Sequence, residues 1–597
     1  MQTIRTLARK AILAATILWS LPTLLQAWEP NAKDLDAAIT TGDFAGYLAG
    51  VTAWLDQKAP AVEPSETAAA ALAKLFNDPG FANALDQRQL IIKTGAKQLG
   101  AFAKANPERR AFLGWLLKNT QALDLYLEGA VPVGLAAREQ NGYALPLAAL
   151  EIWAKIFSAD PDSKEGLCLR LAVATALRPP GTGNRGAGMQ TTPTDPLVRY
   201  QYFKAAHNNK ELFPSFDHLT VWEYQHVVSS CASETDLTWA RDMINTFRPD
   251  LRADELVVNS TSFVWRRAAP ANFYPNGGYQ NFKNVLAGGG KCGPRSSWAV
   301  MVCQAFGIPA IGVGQPAHAC VAYKAANPMT QPQPGSAWKV AYGRGWEVST
   351  LEGMKGPDFL AGVEKRTDLE KFSRVEHLRW LASALASSDK ASAVMAIARK
   401  IDDSITAPKT DLSASLKADE ADADPGVKAG ANAGQPKAPP AASANHLEQP
   451  IRAVSGAMHV EAASYARTGG KISWGGQIPH VLVHDCFTGG KQVYFQQQMK
   501  EQWADYTLDI PASGAYQISM KAACVNEDQL LEVCSGARVI AAVPIPLSYG
   551  LWEETQPVEL KLDGGLQTIR VQTPISVNAE NHKRGIALRC FDLKPKR

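Results

Sequence analysis

A chain of 597 residues is too long for one hydrophobic core, and two to four domains are expected of it. An apolar fraction of 46% with 20% charged residues describes ordinary globular protein and excludes a disordered or fibrous chain. The net charge of +4 is small for this length and argues for neither a nucleic-acid partner nor an acidic surface.

The N-terminus has the three parts of a secretory signal. Arg5, Arg9 and Lys10 are basic, Ala11 to Leu25 are apolar, and Ala27 is a small residue at the cut. Ser20 and Pro22 interrupt the apolar run, which is short for a membrane span of ~20 residues. Residues 1–27 are therefore expected to be a cleaved signal peptide. The mature protein is expected to be secreted (periplasmic, cell-surface or extracellular), with no membrane span after cleavage. Export permits disulfides. There are nine cysteines, an odd number, so at least one is unpaired. Four pairs plus a lone Cys292 is the simplest account, with Cys524 and Cys534 paired across a hairpin. Cys303 is equally compatible with a reduced core thiol.

Residues 28–250 read as a helical domain of antiparallel pairs. Ala38, Phe44, Leu48, Val51 and Leu55 recur at helical spacing, as do Leu113, Leu116, Leu117 and Leu123. Asp78-Pro79-Gly80 and Asp160-Pro161 mark turns. Gly181-Thr182-Gly183-Asn184-Arg185-Gly186 mimics a dinucleotide motif but follows Arg178-Pro179-Pro180 rather than a strand, so it reads as a loop. The aromatic-rich stretch from Tyr200 to Trp239 reads as a packed helical core rather than a sugar- or peptide-binding face.

Residues 251–401 are organised around Gly288-Gly289-Gly290-Lys291-Cys292-Gly293-Pro294. A glycine-rich turn delivers Cys292 to the start of a helix, and Pro294 suits that helix's first turn. Ala299, Val302, Cys303 and Phe306 fall on one face, and Gly307 and Pro309 end the helix. Free N–H groups at a helix start favour a thiolate. The bland alternative for Cys292 is half of a disulfide. His318 opens a strand in which it shares a face with Cys320 and Ala322. A helical stretch from Lys365 to Ile401 trails this region. Residues 402–450 are rich in Ala, Pro, Asp, Lys and Gly and read as a flexible linker. Residues 451–597 switch to short alternating strands with turns at Pro511-Ala512-Ser513-Gly514 and Asp563-Gly564-Gly565, the pattern of a β-sandwich. His480, His484 and Cys486 share a strand face but lack a second ligand pair for a metal.

These residues carry two resemblances. Cys292-Gly293, the helix, Phe306-Gly307-Ile308-Pro309-Ala310, His318 and Trp338 resemble the transglutaminase-like (papain-like thiol) core, over roughly Gly277 to Thr350. The resemblance implies a small α+β domain with catalytic Cys292 and His318, an acid on the next strand, and no cofactor for catalysis. Tyr342 stands where that acid is expected, and Glu347 lies nearby beyond a turn. In papain-like sites an upstream side chain helps stabilise the oxyanion, for which Gln280 is the candidate, with Asn281 beside it. Trp503-Ala504-Asp505-Tyr506, Ser513-Gly514-Ala515-Tyr516 and Phe591-Asp592-Leu593 resemble carbohydrate-binding modules of families 6 and 35, which have a galactose-binding-like jelly roll. That resemblance implies sugar stacking on Trp552 and Tyr549, with Trp503 a further aromatic. It also implies a structural calcium at Glu461 and Asp592, for which the alternative is two surface carboxylates.

The expected protein is thus an exported, multidomain, thiol-dependent acyl-transfer enzyme. It would hydrolyse or transamidate an amide of a peptide or glycoprotein substrate, tethered to a polysaccharide or glycan by its C-terminal module. The alternative is a catalytically inactive transglutaminase-like binding or adhesion protein.

Overall fold

The computed structural model describes residues 29–60, 66–183, 194–253, 256–264, 281–324, 338–405, 450–454, 456–471, 481–496, 501–574 and 585–596. The expected signal peptide, Gln280 and nearly all of the expected linker lie outside the described residues. The chain divides into two compact units. One comprises residues 1–131, 140–158 and 368–405; the other comprises 132–139, 159–367 and 406–597. Six helices carry or position the residues of interest: α1 (Pro79–Thr94), α2 (Thr120–Gly129), α3 (Glu234–Phe247), α4 (Phe282–Gly288), α5 (Cys292–Ala305) and α6 (Leu369–Ala382).

The first unit is helical. Its helices start where side chains can hold the orphan N–H groups of a first turn. Asp78 accepts from Gly80 N, Asn119 from Ala122 N, and Asp368 from Lys371 N. Phe81, Leu85, Leu90 and Ile91 of α1 are buried, as are Phe372, Val375, Leu378 and Leu381 of α6. The helices from 369 to 403, expected to trail the thiol core, belong to this unit instead, and residues 159–250 belong with the core. Sequence order suggested the opposite grouping. The apolar faces of α1 and α6 decide it by packing on each other. The interface between these helices also buries charge. Asp86 is fully buried beside His377, and burial pushes its carboxyl up to about 8 against the pull of the imidazole. Burial likewise pushes Glu128 up to about 7.

The second unit contains a five-stranded sheet and a sandwich. The sheet runs β3-β2-β1-β4-β5, with β1 (Ala310–Gln315), β2 (His318–Lys324), β3 (Trp338–Ala341), β4 (Thr350–Leu351) and β5 (Met354–Lys355). β1 and β2 are antiparallel, pairing Gln315 with His318 and Ile311 with Ala322. Ile311, Val313, Cys320, Ala322, Trp338 and Val340 form one apolar face, closed by Trp222, Trp346 and Phe359. Helix α5 packs on β1 and β2. Its sequence suggested a single buried face. In the fold Pro294 and every residue from Ser296 to Ala305 are buried, because Trp239 and Ser260 meet Trp298 on the remaining sides.

The sandwich has the expected alternation. One sheet joins β7 (Met458–Glu461), β9 (Leu482–Asp485), β10 (Lys491–Phe495), β12 (Gly514–Cys524), β15 (Glu553–Glu554), β16 (Val558–Leu562) and β18 (Ile586–Pro595). The other joins β6 (Ile451–Arg452), β8 (Arg467–Lys471), β11 (Glu501–Ile510), β13 (Gln529–Ser535), β14 (Arg538–Ile545) and β17 (Gly565–Gln572). Val460, Val493, Tyr506, Ile518, Val533, Val571 and Leu588 fill the space between them. None of the nine cysteines is disulfide-bonded. The expected Cys524–Cys534 pair does not form. β12 and β13 lie in different sheets, and Cys524 Sγ donates instead to Pro546 O at 3.1 Å.

The sandwich is also seated on the helical part of its own unit. Trp239 Nε1 donates to Tyr549 O at 3.1 Å, Gln492 Nε2 to Thr246 O at 2.8 Å, and Asn526 Nδ2 to Ala287 O at 3.1 Å. Phe247 meets Tyr494 edge to face at 5.4 Å. Among the described residues no helix is long and apolar enough to cross a membrane.

Candidate functional site

Cys292 is the first residue of α5, after Lys291, whose side chain supplies no cap. The first N–H groups of a helix have no acceptor within the helix itself. The approach is made by α4, capped at its start by the Asn281 side chain, which accepts from Asn284 N at 2.8 Å. The Asn281 side chain thus caps α4 through its oxygen. Gly289 ends α4 at φ +82°, a left-handed conformation that glycine adopts without strain.

The topology brings Cys292 and His318 to the same end of the α5–sheet layer. A helix of 14 residues and a strand of 6 both span ~20 Å. The chain runs down α5 and back up β1, so β2 begins where α5 begins. Both residues are half-buried. No hydrogen bond joins Cys292 Sγ to His318 among the described residues. The imidazole makes a different bond. Its Nε2 lies 2.6 Å from the backbone oxygen of Tyr342. A carbonyl only accepts, so Nε2 carries the proton, and the neutral ring keeps Nδ1 as a proton acceptor.

Two strained residues support this bond. Ala317, immediately before His318, has φ +54°, and Tyr342 has φ +61°. Such conformations are costly for residues with a side chain and persist only where their surroundings fix them. Tyr342 is fixed through its hydroxyl, which donates to Val258 O at 3.1 Å and lies 3.2 Å from Asn259 Oδ1. Gly343 is next in the chain because a Cβ there would lie 2.7 Å from both Cys320 Sγ and Val340 Cγ1. The buried Gln315 amide clamps the turn, donating to Gly345 O and accepting from Arg344 N. Glu347 is exposed in the next turn. The partner of His318 is thus a backbone oxygen of the residue standing where an acid was expected. Residue types cannot reveal that partner. The glycine after Tyr342 is the nearest signal in the sequence.

Beneath the sheet, His226 is fully buried, and burial lowers its imidazole to about 3. Arg178 NH1 donates to its Nδ1 at 3.3 Å. Sequence reasoning did not single out this residue.

In the sandwich, Trp552 is half-buried beside the loop that carries Tyr549. Tyr549 has φ +50°, and Lys283 Nζ lies 5.6 Å from both its ring and that of Trp239. Its loop is therefore held against α3 and α4. Trp503 is covered by Arg570, whose guanidinium lies 3.9 Å from the ring, and by the close approach of Gly469. Glu461 and Asp592 are brought together by the pairing of β7 with β18. Both face His459, with Nδ1 2.7 Å from Asp592 Oδ1 and Nε2 3.4 Å from Glu461 Oε1. These contacts raise the imidazole above its usual range, the hydrogen bond to Asp592 first. Arg589 approaches Glu461 at 3.8 Å. Calcium takes oxygen ligands, and the His459 imidazole stands between the two carboxylates that would offer them.

No family model matches the sequence, and no curated protein matches it. The C-terminal β-region is similar to solved carbohydrate-binding modules. One is the C-terminal family 6 module of a marine laminarinase from Zobellia galactanivorans, at 16% identity, 23% of this chain, 98% of that one, and a TM-score of 0.19. Another is a module of lichenase 5A from Cellvibrio mixtus in complex with cellotriose, at 20% identity, 23% of this chain, 97% of that one, and a TM-score of 0.18. A family 35 module from Clostridium thermocellum has 12% identity, 24% and 98% coverage, and a TM-score of 0.19.

Proposed function

We propose that the protein is a thiol-dependent acyl-transfer enzyme acting on an amide of a peptide or glycoprotein. The observation that carries this reading is the Nε2 bond of His318 to the Tyr342 carbonyl, which leaves Nδ1 as the acceptor at the end of the sheet where α5 presents Cys292. Cys292 gives up its proton to His318, and its sulfur attacks the amide carbon. The C–N bond then breaks, His318 returns the proton to the leaving amine, and a thioester remains. Water or a second amine attacks the thioester carbon and releases the thiol. The N–H of Cys292 lies at the helix start, where a developing oxyanion is stabilised; Gln280 remains the side-chain candidate for the same task. The backbone carbonyl orients the ring without neutralising the imidazolium, a weaker support than a carboxylate gives.

The test is incubation of the purified chain with a blocked glutaminyl peptide and hydroxylamine. Hydroxamate or released ammonia that disappears in Cys292→Ala and falls at least ~100-fold in His318→Ala supports the reading. Product formation unchanged in Cys292→Ala overturns it.

A second reading, the binding or adhesion protein, is favoured by the seating of the sandwich on the rest of its unit. Here the sandwich holds a glycan with Trp552 as the stacking surface. Retention on insoluble β-glucan that is lost in Trp552→Ala supports glycan binding, and no retention on any polysaccharide removes it. Calcium at Glu461 and Asp592 predicts an unfolding midpoint that falls with a chelator and is restored by the ion.

A further inference from the structure

The helical unit holds a second cluster of ligating groups, unrelated to the thiol. Asp86 on α1, Asp124 on α2 and His377 on α6 place one ligand atom each within 4.8 Å of one another. His377 Nε2 lies 3.1 Å from Asp124 Oδ1 and 3.2 Å from Asp86 Oδ1. Glu128 lies at i+4 from Asp124 on the same face of α2.

Two independent features distinguish this cluster from an ordinary buried ion pair. Asp86 is fully buried, and among the described residues neither of its carboxylate oxygens receives a hydrogen bond of good geometry, the His377 imidazole being the cation beside it at 3.2 Å. Buried carboxylates are normally satisfied, and an orphaned one points to a missing ligand. His377 is meanwhile set as a metal-ligating histidine is set. Its Nδ1–H donates to Ser373 O at 2.8 Å, which aims Nε2 at the two carboxylates; a metal ion there would take the place of the Nε2 proton that now meets Asp124. Neighbouring cations are engaged elsewhere. Arg379 pairs with Glu376, Arg88 bonds Thr52 and Ser383, and Lys93 bonds the Asn141 carbonyl. Trp380 and Phe76 wall the imidazole at 4.9 and 5.8 Å. Asp124 keeps 30% of its side chain exposed, which gives an ion a way in.

We propose that Asp86, Asp124 and His377 bind a single divalent transition-metal ion that fastens α6 to α1 and α2. One imidazole with carboxylates suits zinc, cobalt, manganese or ferrous iron, and an imidazole ligand disfavours calcium and magnesium. The ion joins His377 to Asp124 across a sequence separation of 253 residues.

Cobalt(II) tests this on the full-length chain after treatment with a chelator. One equivalent is expected to bind, with a visible d–d band and no sulfur-to-cobalt charge-transfer band, and to raise the unfolding midpoint. Zinc(II) is expected to displace it. His377→Gln and Asp86→Asn are each expected to lose the one-equivalent endpoint with unchanged circular dichroism. Asp124→Asn, at the more exposed ligand, is expected to bind at least ~10-fold more weakly and guards against a core variant that fails to fold. No cobalt uptake by the wild-type chain, a thiolate band, or uptake unchanged in these variants overturns the proposal.

Discussion

The side-chain amide of Asn526 donates to the backbone carbonyl of Ala287 at 3.1 Å, deep in the second unit. Ala287 lies in the last turn of α4, five residues before Cys292. A loop of the sandwich therefore braces the glycine turn that delivers the thiol. Asn526→Ala is expected to cost about 1–3 kcal/mol of stability by leaving that carbonyl unsatisfied. Denaturant unfolding reads the loss. The rate of Cys292 alkylation should change in the same variant, and an unchanged rate would sever the bracing from the site.

Gly343 sets the Tyr342 carbonyl on His318. A methyl group there would sit 2.7 Å from Cys320 Sγ and Val340 Cγ1. Gly343→Ala is expected to destabilise the fold by about 1–3 kcal/mol through overpacking. It should also reduce the proposed acyl-transfer activity more than Tyr342→Phe, which keeps the carbonyl and loses only the hydroxyl bonds. Equal losses in the two variants would argue against the carbonyl as the orienting group.

Thiol labelling should reach Cys292 before the five cysteines whose thiols burial raises. Burial pushes Cys524 and Cys590 up to about 11 and raises Cys303, Cys168 and Cys486. Iodoacetamide near neutral pH is expected to modify Cys292 ahead of these five, as read by peptide mass spectrometry. Faster labelling of any of the five contradicts this pattern of burial.

His226 makes the second unit acid-sensitive. The unfolded imidazole takes up a proton below 6.5, whereas the buried one resists until about 3. Between those values the unfolded state binds more protons, so stability falls as pH falls, by at most about 1.4 kcal/mol per pH unit. His226→Gln should flatten this slope between about pH 6.5 and pH 4, measured as denaturant midpoints against pH. Glu352 retains Arg178 as a partner in that variant, so the change in slope isolates the histidine.

Asp505 offers a contrast of magnitudes. It is 2% exposed and receives Arg570 at 2.8 Å and Arg467 at 3.0 Å. Arg570 is mostly covered, whereas Arg467 is 71% exposed. Arg570→Ala leaves the buried carboxylate with only the exposed Arg467 and uncovers Trp503, and is expected to cost about 1–3 kcal/mol. Arg467→Ala should cost less than about 1 kcal/mol. Urea unfolding of the two variants checks the ordering.

Local periodicity carried much of the architecture. The alternation of residues 451–597 anticipated the sandwich because a strand's two faces repeat every second residue, and Gly307 and Pro309 placed the end of α5 within two residues. Cys292 at a helix start and His318 at a strand start were legible for the same reason: both arise from short-range turn chemistry. What joins distant segments was not legible. The sequence implied disulfides that the nine cysteines do not form, and it grouped residues 369–403 with the thiol core when the apolar face of α6 packs on α1. It offered an absent acid at Tyr342, and the fold supplies a backbone oxygen there, which every residue type possesses equally. Asp86, Asp124 and His377 went unremarked because no local spacing links them. Composition and periodicity determine which elements form; only the packing of those elements determines which polar groups, far apart in the chain, must answer one another out of water.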